Sequence, residues 1–261
     1  MDGKTERQIS KESGYSKSNV GYWISKYELN DLSKHKKVKY KDENMFNKID
    51  TPEKAYILGF TLADSYISEK NIEYAVVLND CEILDFISKQ IGGKVNKSYV
   101  LDKKNKRFPR ARYSVSNKNI LIDINKHGSK KTDRHIPIVK KELKRYLLLG
   151  FFDGDGCITW GRRKDRNRIW HKISFTSSYN LLLGIQKILI DEVGISSSLR
   201  PKSDAKCFVL EFSNKKDVIK FLDYTYKDDF LVLKRKYDKA EALRLELGEL
   251  REVPTTLSEA V

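Results

Sequence analysis

Membrane spans, paired cysteines and clustered histidines are all missing from this sequence, and each absence removes a class of protein. No apolar stretch approaches the roughly 20 residues that cross a bilayer. The opening MDGKTERQIS carries no apolar core of the kind a secretory signal needs. The expectation is an intracellular protein, cytoplasmic or nucleoid-associated, with no membrane partner. Cys81, Cys157 and Cys207 stand far apart without a CxxC pair, which argues against a disulfide framework and a zinc knuckle alike. His35, His127, His135 and His171 are scattered and lack the close spacing of zinc ligands.

What the chain has in excess is positive charge. It contains 51 Lys and Arg against 36 Asp and Glu, a formal net charge of +15 over 261 residues. A surplus of that size points to a polyanion, with nucleic acid first. The hydrophobic content of 39% and the long apolar segments indicate a folded protein with one main domain and a small one.

Residues 1–33 read as a helix-turn-helix domain. Within KTERQISKESGYSKSNVGYWISKYEL, Ile9 to Ser13 ends a short first helix, Gly14 takes the left-handed turn and Ser16 caps a second helix. Val20, Trp23 and Ile24 are expected on its buried face. Lys17, Ser18, Asn19 and Tyr22 are then offered to a DNA major groove. The competing reading is a helical hairpin that only packs on the body. Residues 34–50 are lysine-rich without apolar periodicity and read as a basic linker. The final residues, 251–261, read as a tail.

The remainder repeats itself once. PEKAYILGFTLADSYIS (52–68) parallels LKRYLLLGFFDGDGCIT (143–159), with Gly150 lying 91 residues after Gly59 and Asp155 91 residues after Asp64. Alternating and helical segments follow each copy in the same order, so residues 51–140 and 141–250 form two halves of helix, hairpin, helix, hairpin, helix. The fold class is α/β in the α+β sense, with pseudo-twofold symmetry. Small residues four apart, Gly59 with Ala63 and Gly150 with Gly154, let two lead helices approach closely. Their C-terminal ends then converge.

Convergence places Asp64 and Asp155 face to face at the negative ends of two helices, where carboxylates are disfavoured unless a cation meets them. A hard divalent ion with oxygen ligands, Mg²⁺ above all, relieves that repulsion. The plainer alternative is that both aspartates are ordinary loop-forming residues after a helix, Asp-Gly being a common turn.

The segments YILGFTLADS and LLLGFFDGDG resemble the two copies of the LAGLIDADG motif of the homing endonucleases, in the single-chain form with two motifs. The resemblance covers roughly residues 51–247. It implies that Asp64 and Asp155 bind catalytic divalent ions, with Mn²⁺ or Ca²⁺ able to replace Mg²⁺ for binding. It further implies a monomer that cuts both strands of duplex DNA across a minor groove, leaving short 3′ overhangs, with two metals stabilising the attacking and leaving oxygens. Because some members of the family act as maturases, intron RNA is a second partner it allows. A catalytically silent DNA-binding regulator is a third reading. The first copy departs from the pattern at Leu62, where the second has Asp153, and at Ser65, where the second has Gly156.

The family also places a basic residue near each site to orient or activate water. Two segments resemble those signatures, GSKKTDRHIP and YKDDFLVLKRKYDKA, and they nominate Lys131 and Lys236, with Lys130 and Arg235 as alternatives by spacing. The basic segments KKNKRFPRAR and GRRKDRNRIWHK take hairpin positions expected to be equivalent in the two halves. They supply Arg107, Arg110, Arg112, Arg162, Arg163, Arg166 and Arg168 as a pool facing the DNA major groove.

Overall fold

The structure, a computed structural model, describes residues 5–27, 40–101, 107–129, 134–163, 168–202, 207–227, 230 and 232–248. It divides into two compact units, Met1–Tyr40 and Lys41–Val261.

In the first unit, α1 (Glu6–Ser13) starts at Thr5 with a reciprocal cap. The Gln8 amide donates to Thr5 Oγ1 at 3.3 Å and the Thr5 amide to Gln8 Oε1 at 2.8 Å. Gly14 closes the helix at φ 72°, a conformation that costs other residues a Cβ clash. Ser16 then caps α2 (Lys17–Lys26), accepting from the Asn19 amide. Val20 and Ile24 are buried, but Trp23 is 44% exposed, contrary to the expectation. Val20 and Ile24 lie four apart and form the whole apolar stripe that an eight-residue partner helix can cover; Trp23 sits at its edge and stacks on Tyr27 with centroids 5.6 Å apart.

The second unit begins earlier than the linker expectation allowed. Met45 and Phe46 are buried, and the Phe46 carbonyl pairs with His127 Nε2 at 2.6 Å. Residues 41–50 therefore pack as part of the body, held by two large apolar side chains too isolated in sequence to produce a periodic pattern.

Its centre is a pair of helices, α3 (Pro52–Asp64) and α6 (Lys144–Asp155). Thr51 caps the first, with Pro52 in the first turn where its missing N–H costs nothing. Both helices are buried around most of their circumference, Ala55–Leu62 in one and Leu147–Asp153 in the other, so each is a core helix rather than an amphipathic one. A methyl group on Gly59 would strike the Leu147 carbonyl oxygen, and one on Gly150 would strike the Tyr56 carbonyl oxygen. Those collisions are related by the same 91-residue offset as the motifs, which is the pseudo-twofold axis expressed in packing.

Each half carries a four-stranded antiparallel sheet of the same order. The first is β1-β2-β4-β3, from β1 (Ser65–Ile67), β2 (Ile72–Val77), β3 (Asn96–Leu101) and β4 (Arg107–Val115). The second is β5-β6-β8-β7, from β5 (Gly156–Arg163), β6 (Arg168–Ser177), β7 (Ser198–Pro201) and β8 (Phe208–Phe212). Helices α4 (Cys81–Ile91) and α7 (Tyr179–Ile188) stand between the two hairpins of their halves, α5 (Lys118–Ile124) and α8 (Lys215–Thr225) follow, and α9 (Lys234–Glu246) comes last. Alternation separates the faces: Ile72, Tyr74 and Val76 are buried while Glu73, Ala75 and Val77 point outward. The second sheet repeats this with Ile173 and Phe175 inside and Trp170 outside.

The two arginine-rich hairpins are not equivalent. KKNKRFPRAR joins β3 to β4, the second hairpin of its half, whereas GRRKDRNRIWHK joins β5 to β6, the first hairpin of the other. Charge density alone carries no topological label, so the sequence matched two loops that the strand order keeps apart.

Candidate metal and nucleic-acid site

Asp64 and Asp155 are the last residues of α3 and α6. The helix packing delivers them to one place: a Cβ on Gly154 would lie 2.5 Å from Ala63 Cβ and 3.2 Å from Asp64 Cβ, so the absent side chain of Gly154 is what lets the two ends meet. Asp155 is pushed up to about 7, by burial first and then by the neighbouring Asp64 charge, against a hydrogen bond from Ser177 and the charges of Lys236 and Arg134. Asp64 is raised too, by burial chiefly, with Lys236 opposing and Asp80 reinforcing. Two hard-oxygen donors whose ionisation burial opposes suit a divalent cation. No group of three or more His, Cys, Asp and Glu able to hold a metal occurs among the described residues.

Lys236 answers the charge problem at the end of α6. Its ammonium, 7% exposed, donates to the carbonyls of Phe152 and Asp153, the latter at 2.9 Å. A cation thus closes a helix C-terminus whose own side chains are acidic. Burial lowers Lys236 to about 8 against the raising influence of Asp153. Two of its three N–H bonds serve carbonyls, leaving one among the described residues. Beside it, Arg235 grips Asp80 through Nε at 2.9 Å and Nη2 at 2.8 Å. Asp64, Asp80, Arg110, Cys157, Arg235 and Lys236 share the lining of a cleft of about 340 Å³.

Asp153 explains one departure between the motif copies. It is buried, accepts at Oδ2 from Tyr56 Oη at 2.8 Å, and is pushed up to about 7 by burial. The positions 91 residues away from this pair are Leu147 and Leu62. Tyr56 and Asp153 come one from each half, and their counterparts across the axis, Leu147 and Leu62, are both apolar, so the departure at position 62 is one side of a matched change. Aligning the copies would have revealed this correlated pair.

The other nominated residues divide as follows. Arg110 and Arg112 lie exposed on the outer face of the first sheet, opposite Val77 and Ala75. Arg162 does not join them. It pairs with Glu246 of α9 at 2.7 Å, on the same face as Ile158, because strand alternation turns it away. Arg107, Arg163 and Arg168 are strand residues whose side chains lie outside the described set; Arg166, Lys130, Lys131 and the tail lie outside the described residues altogether. From the segment that nominated Lys131, the structure brings the charge of Arg134 to bear on Asp155. Lys17, Ser18, Asn19 and Tyr22 are exposed on α2. Among the described residues no helix is long and apolar enough to cross a membrane.

Comparison with known proteins places this architecture. Residues 142–225 match the model of the LAGLIDADG-like domain. The I-LtrWI LAGLIDADG homing endonuclease bound to target DNA superposes with a TM-score of 0.52 at 11% identity, covering 79% of this chain and 92% of that one. The LAGLIDADG homing endonuclease I-GzeII in complex with its DNA target gives 0.52 at 13%, over 77% and 92%. The homing endonuclease I-WcaI bound to its DNA recognition sequence gives 0.52 at 12%, over 75% and 90%. No curated protein matches the sequence. A LAGLIDADG-like domain thus occupies residues 142–225, and the chain has the fold of the LAGLIDADG homing endonucleases.

Proposed function

We propose that this chain is a site-specific, Mg²⁺-dependent endonuclease that cuts both strands of duplex DNA. The observation that carries the reading is the meeting of Asp64 and Asp155 at two helix ends, where burial and mutual repulsion raise Asp155. A bound Mg²⁺ at these carboxylates would supply charge stabilisation for phosphodiester hydrolysis. Mn²⁺ or Ca²⁺ would satisfy the same oxygen donors for binding.

The protein's own residues would do the rest. Asp64 and Asp155 would hold the ions through their carboxylate oxygens. Lys236 keeps the end of α6 electrostatically tolerable for Asp155 and offers its remaining N–H to a water on the Asp64 side; Lys131 is its counterpart for the other half. Arg110 and Arg112 on the outer face of the first sheet engage the DNA, as the exposed face of α2 does through the first unit, and tethering two modules raises the overall affinity. Retention of both aspartates speaks against a silent DNA-binding regulator.

The test is to incubate a randomised duplex library with the protein and Mg²⁺, and to sequence the ends produced by the wild type, Asp64→Asn and Asp155→Asn. Defined cuts with 3′ overhangs that disappear or fall to nicks in the variants are expected. Binding without cutting by the wild type would overturn the proposal.

A further inference from the structure

The outer faces of the two sheets differ in how they hold their charges. In the second sheet, Lys172 of β6, Arg200 of β7 and Glu211 of β8 form one cluster. Arg200 donates to Glu211 Oε1 from Nε at 3.2 Å and from Nη2 at 3.0 Å, and Lys172 donates to Oε2 at 3.1 Å. Register puts the cluster on the outer face. Glu211 pairs with Ser174 and with Ser198, and the buried positions Ile173, Phe175 and Leu210 belong to the opposite face. Burial alone would raise Glu211, but the hydrogen bonds from Arg200 and Lys172 outweigh it and lower the group. The carboxylate is thus an anchor for two cations.

Anchoring has a geometric consequence. A guanidinium carries five N–H bonds in a rigid fork. Here the edge formed by Nε and Nη2 is spent on Glu211, so among the described residues the end-on edge of Nη1 and Nη2 remains, and the Arg200 side chain is 52% exposed. That edge is the one that fits the O6 and N7 acceptors of guanine in a major groove. A free arginine reaches phosphates and bases alike, whereas an arginine fixed at its inner edge presents one donor pair in one direction.

The first sheet places its carboxylate differently. By strand register, Ser114 occupies the position of Glu211, and Asn71 that of Lys172. The carboxylate sits instead on β2, where Asn71 donates from Nδ2 to Glu73 Oε1 at 2.7 Å and to Ser114 Oγ at 3.3 Å. The two outer faces therefore differ in which strand carries the carboxylate and in what it holds.

Resting on the endonuclease reading above, we infer that Arg200, positioned by Glu211, reads a guanine in the half-site contacted by the second sheet, with Lys172 sharing the anchor.

The experiment is a binding selection of the full chain from a randomised duplex library, run in parallel for the wild type, Arg200→Lys and Glu211→Gln, with thermal melting of each. The wild type should enrich a defined site containing a guanine whose preference falls by about tenfold or more in Arg200→Lys, since lysine cannot form the fork. Glu211→Gln should relax the same position while leaving the other half-site intact. All three proteins should melt alike. A defined wild-type site whose base preferences are unchanged in both variants would overturn this assignment alone. Loss confined to the opposite half-site would do the same. No enrichment by the wild type would overturn the endonuclease reading and this inference with it.

Discussion

The ammonium of Lys236, on the last helix, donates to the main-chain oxygen of Asp153, which lies 83 residues earlier at the end of α6. The bond joins an element that no motif marks to the second of the two motif helices. Replacing Lys236 with Met removes the cation and strips the Asp153 carbonyl of its ammonium donor, while the Phe152 carbonyl keeps the Gly156 amide, at a cost of about 1–3 kcal/mol. Urea denaturation reads this directly, and an unchanged midpoint would contradict the capping role.

The same lysine sets an alkaline dependence. Its folded value of about 8 lies below the ordinary 10.5, so between those values the unfolded chain binds more protons than the folded one. Stability contributed by this group therefore rises with pH across that window. Lys236→Met should flatten the rise, as followed by melts at intervals from pH 7.5 to 10.5.

Asp153 and Asp155 give the opposite slope at lower pH. Both are pushed up to about 7 from 3.8, so the folded state holds protons the unfolded state has lost. With divalent ions chelated, stability from these groups is present below about 4 and is lost as pH rises through 7. Adding Mg²⁺ at pH 8 should raise the melting temperature of the wild type through preferential binding to the folded state. Asp64→Asn with Asp155→Asn together should abolish that rise; a rise that survives would place the ion elsewhere.

Tyr56 and Asp153 should behave as a coupled pair. Tyr56→Phe strips the enclosed carboxyl of its hydroxyl donor, a loss of about 1–3 kcal/mol. In an Asp153→Leu background the same change should cost markedly less, since a leucine leaves nothing unsatisfied there. A double-mutant cycle measures the coupling, and strict additivity would show that the bond contributes nothing.

Gly150→Ala tests the helix interface. The added methyl would meet the Tyr56 carbonyl oxygen, a backbone atom that cannot rotate away. The expected loss is at the upper end of the ~1–3 kcal/mol typical of overpacking. Gly14→Ala, where nothing lies within 4 Å, meets only the cost of its left-handed backbone. Comparing urea midpoints of the two variants separates collision from strain.

Much of this was legible in the sequence because repetition is a strong signal. The offset joining Gly59 to Gly150 and Asp64 to Asp155 predicted both the helix pair and the convergence of its ends. Gly14 and Ser16 marked the boundaries of α1 and α2 through local chemistry. What escaped was non-local. Asp80 meets Arg235 across 155 residues, and Glu211 gathers Lys172 and Arg200 from two neighbouring strands, contacts that no spacing along the chain encodes. Arg162 was misplaced for the same reason: arginine content marks a basic hairpin but not which way each side chain of a strand points.

The most direct measurement of the central claim is strand-resolved cleavage of the selected duplex site by the wild type and by the Asp64→Asn, Asp155→Asn double variant, with Mg²⁺ and with chelator. Cuts on both strands that require Mg²⁺ and vanish in the double variant are predicted. Cutting at the same positions that persists in the double variant or in chelator would contradict the assignment of the two aspartates.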